Sequence, residues 1–316
     1  MFSMYNVVTA GIMVADIIVK PVEKFPDKGA LDLIDSAEMF SGGNAMTVAV
    51  NMSKMGLNAA VIGKIGNDPY GDFLVNCLKE HNVTTDGVVR SDEAQTSVSV
   101  VISSSDGERS FLHCKGANAK LRFEDANFDL IDKTNIVFVT GSFVMNDFDG
   151  ADTVEFLKKC KSLGKTTALD VCWDANANPD WLINDAMPYI DLFMPSIDEA
   201  KMIAGEDDVE KLADCFLNKG AGAVVIKCGS KGCYIKEDIN SEGKLISAIY
   251  VENAVDTTGA GDSFCSGFLA AYSKGYDIYE CARFGNAVGA CCVMKKGATS
   301  GTLTFEETLK FMEENK

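Results

Sequence analysis

Short runs of Val, Ile, Ala and Phe alternate along the chain with stretches in which apolar residues return every three or four positions. The runs Tyr5–Ile12, Ala59–Ile62, Ile136–Thr140, Thr167–Val171, Leu192–Met194 and Ala223–Ile226 read as strands buried on both faces. Between them, Ala45–Met55, Tyr70–His81, Asp152–Leu163, Ile197–Ala204 and Val209–Asn218 carry a helical stripe, and the last third is mostly helical over Gly261–Lys274, Ile278–Lys295 and Phe305–Glu314. Strands alternating with helices predict an α/β sandwich built on a mostly parallel sheet. Two stretches break the rhythm. Residues 13–41 are extended and punctuated by Pro21, Pro26 and Gly29. Residues 96–117 read as a hairpin, with Thr96–Ser103 and Arg109–Cys114 flanking a turn at Asp106-Gly107. They are either surface hairpins or a small β lid over a site at the sheet edge.

Composition narrows the class. With 316 residues the chain can bury a large core, and no apolar run approaches the length of about 18 residues that a membrane span needs. The segment Met1–Ile18 has no basic flank and no evident cleavage site, so it reads as a first strand and not as a signal peptide. A net charge of −17 argues against nucleic acid and anionic membranes as partners. The 11 cysteines form no C-x-x-C, and His81 and His113 are the two histidines, so a zinc site is not expected. Most cysteines read as small buried hydrophobes in a reducing cytoplasm.

The segment Asp256-Thr-Thr-Gly-Ala-Gly-Asp262-Ser-Phe-Cys-Ser-Gly-Phe268 carries the clearest chemistry. It is read as the passage from a strand, Ile249–Val255, into a helix. Glycines at 259 and 261 let backbone approach a ligand, and the first helical turn offers unpaired N–H groups and a positive dipole end, an anion site. Asp262 at that helix start can take a proton from an attacking hydroxyl, or it can merely cap the helix; the local pattern leaves both open. Gly164-Lys165-Thr166 imitates the end of a phosphate-binding P-loop, but position 159, where the first glycine belongs, is Lys159; it reads as a helix end entering a strand.

The segment resembles the second signature of the ribokinase/PfkB family of carbohydrate kinases. Ser41-Gly-Gly-Asn-Ala-Met-Thr47-Val-Ala49, followed by Gly56 and Gly66, resembles the first signature, and Ile62–Gly71 is also typical. The resemblance runs from about residue 5 to residue 300. It implies a ribokinase-like three-layer sandwich whose core takes in residues 1–12, 42–95 and 118–316, with a β lid from 13–41 and 96–117. It makes Asp262 the catalytic base and Gly259, Ala260 and Gly261 an anion hole. It places Asp16, Gly42, Gly43, Asn44 and Thr47 at the substrate, Thr47 standing where the family has Asn. It gives Lys227, Gly229, Ser230, Gly232, Asn286 and Glu199 to ATP and Mg2+, with Ser196 replacing the Asn of the family's Asn-x-x-Glu. Asp256, Thr258 and the Gly297 loop are implied in a monovalent cation site, K+ in the family.

Lid sheets of the family often pair, so a homodimer is expected, with Val98, Val100, Ile102 and Phe111 as its apolar face. The implied reaction is transfer of the ATP γ-phosphoryl to a hydroxyl. The position of a ribokinase-type Glu falls on Gly141 or Ser142, and the Asp170–Asp174 region lacks the Arg of related enzymes. A hexose or ketose is therefore favoured over ribose, and Arg109 and Lys115 are the candidates should the substrate be anionic. A nucleoside kinase is the alternative within the class. Outside the class, the rival is a ligand-binding relative without catalysis, against which the intact Asp262 segment speaks.

Overall fold

A computed structural model describes residues 4–105, 109–174 and 177–315. The strands are β1 (Val7–Gly11), β2 (Val14–Lys20), β3 (Ser36–Gly42), β4 (Ala59–Gly66), β5 (Thr84–Ser91), β6 (Val98–Ser103), β7 (Arg109–Cys114), β8 (Ile136–Ser142), β9 (Thr166–Val171), β10 (Leu192–Phe193), β11 (Ala223–Lys227), β12 (Cys233–Lys236) and β13 (Lys244–Ile246). The helices are α1 (Asn44–Lys54), α2 (Pro69–Glu80), α3 (Phe128–Ile131), α4 (Ala151–Ser162), α5 (Ile197–Ala204), α6 (Val209–Asn218), α7 (Ala260–Ser273), α8 (Ile278–Val293) and α9 (Phe305–Glu314). A nine-stranded sheet runs β13-β12-β11-β10-β9-β8-β1-β4-β5, parallel from β11 to β5, with β12 and β13 added antiparallel at one edge.

Both faces of the inner strands are buried, which is why those strands read as unbroken apolar runs. Neighbouring residues of one strand enter opposite cores. Phe138 belongs to the core that holds Ala45, Leu74, Phe268 and Phe284, while Val137 and Val139 belong to the one that holds Ile131, Phe156, Ala200 and Phe216. One layer is therefore α1, α2, α7, α8 and α9, and the other is α3 to α6. The helices α7 and α8 approach closely because Gly267 and Gly285 have no side chains: a methyl group on Gly267 would stand 2.7 Å from Val288 Cγ2. Gly164 follows α4 with φ 71° and leads into β9, so Gly164-Lys165-Thr166 is a helix exit and not a phosphate loop.

The two interruptions of the α/β rhythm form a separate four-stranded sheet, β3-β2-β6-β7, in which β2 and β6 run parallel and the outer pairs antiparallel. The expected turn at Asp106-Gly107 lies outside the described residues. Two expectations need correction. Phe111 pairs with Val101, not with the Val98, Val100 and Ile102 side, because paired residues project to the same face; it shares its face with Asp16, Ser99 and His113. The expected strand Ile249–Val255 is irregular chain. The edge strand ends at Ile246, and residues 248–251 and 254 line a cavity.

Filling the α7–α8 contact should be costly. Gly267→Val should lower unfolding stability by about 1–3 kcal/mol through overpacking, read as a lower urea midpoint with an unchanged slope.

Candidate active site

The parallel strands end together at one edge of the large sheet, where loops of an α/β sheet gather their chemistry. Two adjoining cavities open there. One, of about 440 Å³, is lined by Lys227, Gly229, Ser230 and Gly232, by the irregular chain at 248–251, and by Phe264, Asn286 and Ala290. The other, of about 230 Å³, is lined by Asn44, Asp170, Cys172, Glu199, Lys227 and Asp262, with Gly259, Ala260 and Gly261 beside them. Both cavities include Ser196, Lys227, Thr257, Ala260 and Gly261, so they meet at the start of α7.

That start is built from Gly259, left-handed at φ 74°, which lets the chain turn into the helix where a methyl group would strike Ala298. Ala260 N–H turns back to the Thr257 carbonyl at 3.2 Å, so of the expected anion-hole amides it is engaged; Gly259 and Gly261 N–H have no backbone acceptor among the described residues. Asp262 stands in this first turn, and its Oδ1 accepts from Asn44 Nδ2 at 2.8 Å. Burial raises the Asp262 pKa to about 6, against the Asn44 hydrogen bond and the Lys227 charge, which lower it. Asn44 opens α1 directly after Gly43, whose φ of 87° and close approach to the Ile12–Val14 backbone leave no room for a side chain.

The remaining candidates separate into groups. Thr47 lies one turn into α1 and is buried. Asp16 is on β2 of the small sheet, outside the lining of the Asp262 cavity. Burial raises its pKa to about 6 against a Ser99 hydrogen bond, and a methyl group on Gly42 would fall 2.0 Å from its Oδ2. Ser99 Oγ is in turn 2.8 Å from His113 Nδ1. Asn286 spends both amide hydrogens on the carbonyls of Ile246 and Ser247, each at 3.0 Å, which fastens the cavity wall. Ser196 and Glu199 form a reciprocal cap on α5: Ser196 N–H donates to Glu199 Oε2 at 2.7 Å, and Glu199 N–H to Ser196 Oγ at 3.3 Å. A serine serves this cap as well as an asparagine would.

Asp256 is buried and accepts N–H bonds from Thr258 at 2.9 Å and Gly297 at 2.8 Å, which ties the two loops together. The Thr258 and Ala298 carbonyls converge on Cys292 Sγ at 3.5 and 3.7 Å.

Sequence reading missed three contributors. Asn51 and Thr302 lock α1 against α7: Asn51 Nδ2 donates to Ser263 Oγ at 3.1 Å, and Thr302 Oγ1 donates to Asn51 Oδ1 at 2.7 Å. Asp170 pairs with Lys227 at 2.5 Å. A charged residue near the end of the apolar run Thr167–Val171, and an Asn inside an apolar helix stripe, were the available signals.

A helix start with open amides, a partly buried carboxylate beside it and two joined cavities are an arrangement that suits a phosphotransferase with an alcohol acceptor. Comparison with known proteins names the group. The pfkB family carbohydrate kinase model matches residues 4–304, and the chain belongs to that family. The chain is 30% identical over 297 residues to the 2-dehydro-3-deoxygluconokinase of Bacillus subtilis, covering 90% of each chain. It is 29% identical over 339 residues to a probable fructokinase-5 of Arabidopsis thaliana, covering 97% of each. Among solved structures, it superposes on the Arabidopsis thaliana ribokinase complexed with ribose and ATP with a TM-score of 0.86, at 25% identity and 99% coverage of both chains. The fold is ribokinase-like, as expected from the motifs. Among the described residues no helix is long and apolar enough to cross a membrane.

A partly desolvated Asp with a raised folded pKa disfavours the folded state once ionised. Its stabilising contribution is full below about pH 4 and lost as pH rises through about 6. Asp262→Asn should therefore be more stable than wild type at pH 7.5, with the gap closing by pH 4, in thermal melts run across that range.

Proposed function

We propose that this protein is an ATP-dependent kinase that phosphorylates a hydroxyl of an uncharged hexose or ketose. The observation that carries the reading is Asp262, partly buried at the open start of α7 where the two cavities meet and held there by Asn44. The larger cavity suits an adenine nucleotide: its walls are mostly apolar, and its inner end meets the helix start, where phosphate is favoured. The acceptor hydroxyl then lies in the smaller cavity. Asp262, with a pKa near 6, is ionised at neutral pH and takes the hydroxyl proton as the bond to phosphorus forms. The Gly259 and Gly261 amides meet the charge that spreads over the phosphoryl oxygens.

Among the described residues no cluster of three His, Cys, Asp or Glu could hold a metal ion alone. Glu199 fits the way Mg2+ is usually held, through one or two carboxylates together with substrate phosphates and water. Bound there, Mg2+ would neutralise phosphate charge. The converging Thr258 and Ala298 carbonyls, with Asp256 holding their loops, fit a monovalent cation such as K+.

The small sheet acts in this reading as a lid that brings Asp16 to the sugar and excludes water. The two-part division of the chain into core and lid follows from it. The uncharged substrate rests on the charges near the strand ends. Lys115 at the foot of β7 is paired with Asp174 at 3.4 Å, so the lysine that would greet a carboxylate or phosphate already has a carboxylate. A lid that must pair also explains why Met39, Phe40, Phe111 and Leu112 stand 37–59% exposed on its two edge strands. A second copy of the chain is the proposed cover, in a cytoplasmic homodimer.

Steady-state turnover with ATP across hexoses, ketoses, pentoses, acid sugars and nucleosides tests the substrate. Asp262→Asn should lower kcat on the best acceptor by about 10²–10⁴-fold, and retention of a tenth of the rate would remove the base assignment. Asp16→Ala should lower kcat/KM by roughly 10²-fold while ATP affinity holds, since hydrogen bonds to a charged group are worth about 1.5–3 kcal/mol each; the loss should disappear for an acceptor lacking the hydroxyls it grips. Light scattering at micromolar concentration should give the dimer mass for wild type and the monomer mass for Phe111→Asp. A monomeric wild type would refute the lid pairing.

A further inference from the structure

The Asp262 cleft contains one charge pair that proton transfer does not use. Lys227 ends β11, and its ammonium lies 2.5 Å from Oδ2 of Asp170 on β9. Both side chains are nearly enclosed, 12% and 3% exposed. Cys265 on α7 touches both, with Sγ 3.6 Å from Asp170 Oδ2 and 3.8 Å from Lys227 Nζ. A buried ion pair is a poor way to gain stability, because apolar side chains of similar size often do as well or better. A pair kept inside a cleft therefore points to the chemistry of that cleft.

Its placement says what it is for. An ammonium has three N–H donors. Asp170 and Cys265 take two directions, and no third acceptor lies on Lys227 among the described residues. Lys227 lines both cavities, so the remaining donor lies where they join. A methyl group on Gly261 would sit 3.8 Å from Lys227 Nζ, which puts the ammonium beside the open amides of the α7 start. The surroundings keep it charged. Burial alone would lower the Lys227 pKa, but the Asp170 carboxylate, with Glu199 behind it, pushes it upward. Asp170, Glu199 and Asp262 are all acidic, so a polyphosphate entering this junction needs a fixed cation there.

We propose that Lys227 is a catalytic residue that donates its remaining N–H bond to the transferring phosphoryl group, and that Asp170 is the positioning residue that aims it. The proposal rests on the phosphotransfer reading of the Asp262 cleft. In the step, the bond from the γ-phosphorus to the bridging oxygen breaks and the bond to the acceptor oxygen forms. The acceptor proton goes to Asp262. Lys227 keeps all its protons and contributes only hydrogen bonding and charge.

The test uses Lys227→Met, Asp170→Asn and the two combined, with calorimetric binding of a non-hydrolysable ATP analogue and of ADP alongside turnover. Lys227→Met should lower kcat by about 10²–10³-fold. It should weaken the analogue by about 10-fold and leave ADP within about 2-fold, because only the triphosphate reaches the junction. Asp170→Asn should lower kcat by at least about 10-fold alone and have no further effect in the Lys227→Met background, the mark of a residue acting through its partner. If Lys227→Met does not fold, Lys227→Gln, which retains a hydrogen bond to Asp170 without the charge, should show the same losses. More than a third of kcat retained with an unchanged analogue-to-ADP ratio would overturn the role of Lys227. An equal Asp170→Asn loss with and without Lys227 would overturn the positioning role. Should wild type phosphorylate no polyol, the acceptor reading fails by itself, and the analogue-to-ADP ratio still decides whether Lys227 meets the terminal phosphate.

Discussion

Desolvation of the partly buried Asp262 carboxylate at the first turn of α7 disfavours its ionised form, and the surrounding elements are arranged around that penalty. A single hydrogen bond from Asn44 and the nearby Lys227 charge offset part of it. The remainder leaves the group with a pKa of about 6, which suits the proton transfer proposed for it. The same partial burial makes the site demanding of its neighbours, because a partly desolvated carboxylate depends on where its donor, Asn44, is held.

The neighbours supply that precision through contacts with little freedom. The left-handed Gly43 sets where α1 begins and so where Asn44 projects. Asn51, Ser263 and Thr302 fix the rotation of α1 against α7 a short distance below. Gly267 and Gly285 bring α8 against the back of α7, so the helix that carries Asp262 is clasped from both sides. Asp170 and Lys227 reach the same point from β9 and β11, the strands on either side of the short β10. Four separate parts of the chain thus converge on a few ångströms of space, each anchored in a core element and not in a mobile loop.

The small sheet follows a different logic. Its strands carry polar residues on the Asp16 face, where Asp16, Ser99 and His113 form a row, and its edges leave large apolar side chains in solvent. A sheet that is poorly covered on its own is suited to move or to be covered by something else, and the proposed closure and pairing use both properties.

Much of this was legible in the sequence, for reasons of period and local geometry. Strands buried on both faces must read as continuous apolar runs, so the parallel sheet and its helices were visible. The Asp256–Phe268 segment was informative because its chemistry is local, with glycines, a helix start and a carboxylate within one turn. Register and long-range contact lay beyond that reach. Only pairing of β6 with β7 could assign Phe111 to the Asp16 face, since alternation gives two faces without saying which meets which. Only the placing of β9 and β11 on either side of β10 could bring Asp170 to Lys227 across 57 residues, and only the packing of α1 on α7 could bring Asn44 to Asp262 across 218. The irregular chain at 249–255 was misread as a strand because apolar residues that line a cavity look, in one dimension, like residues that line a core. What a residue is can be read along the chain, but what it faces is decided by packing, because burial, pKa and hydrogen bonding all belong to contacts between distant segments.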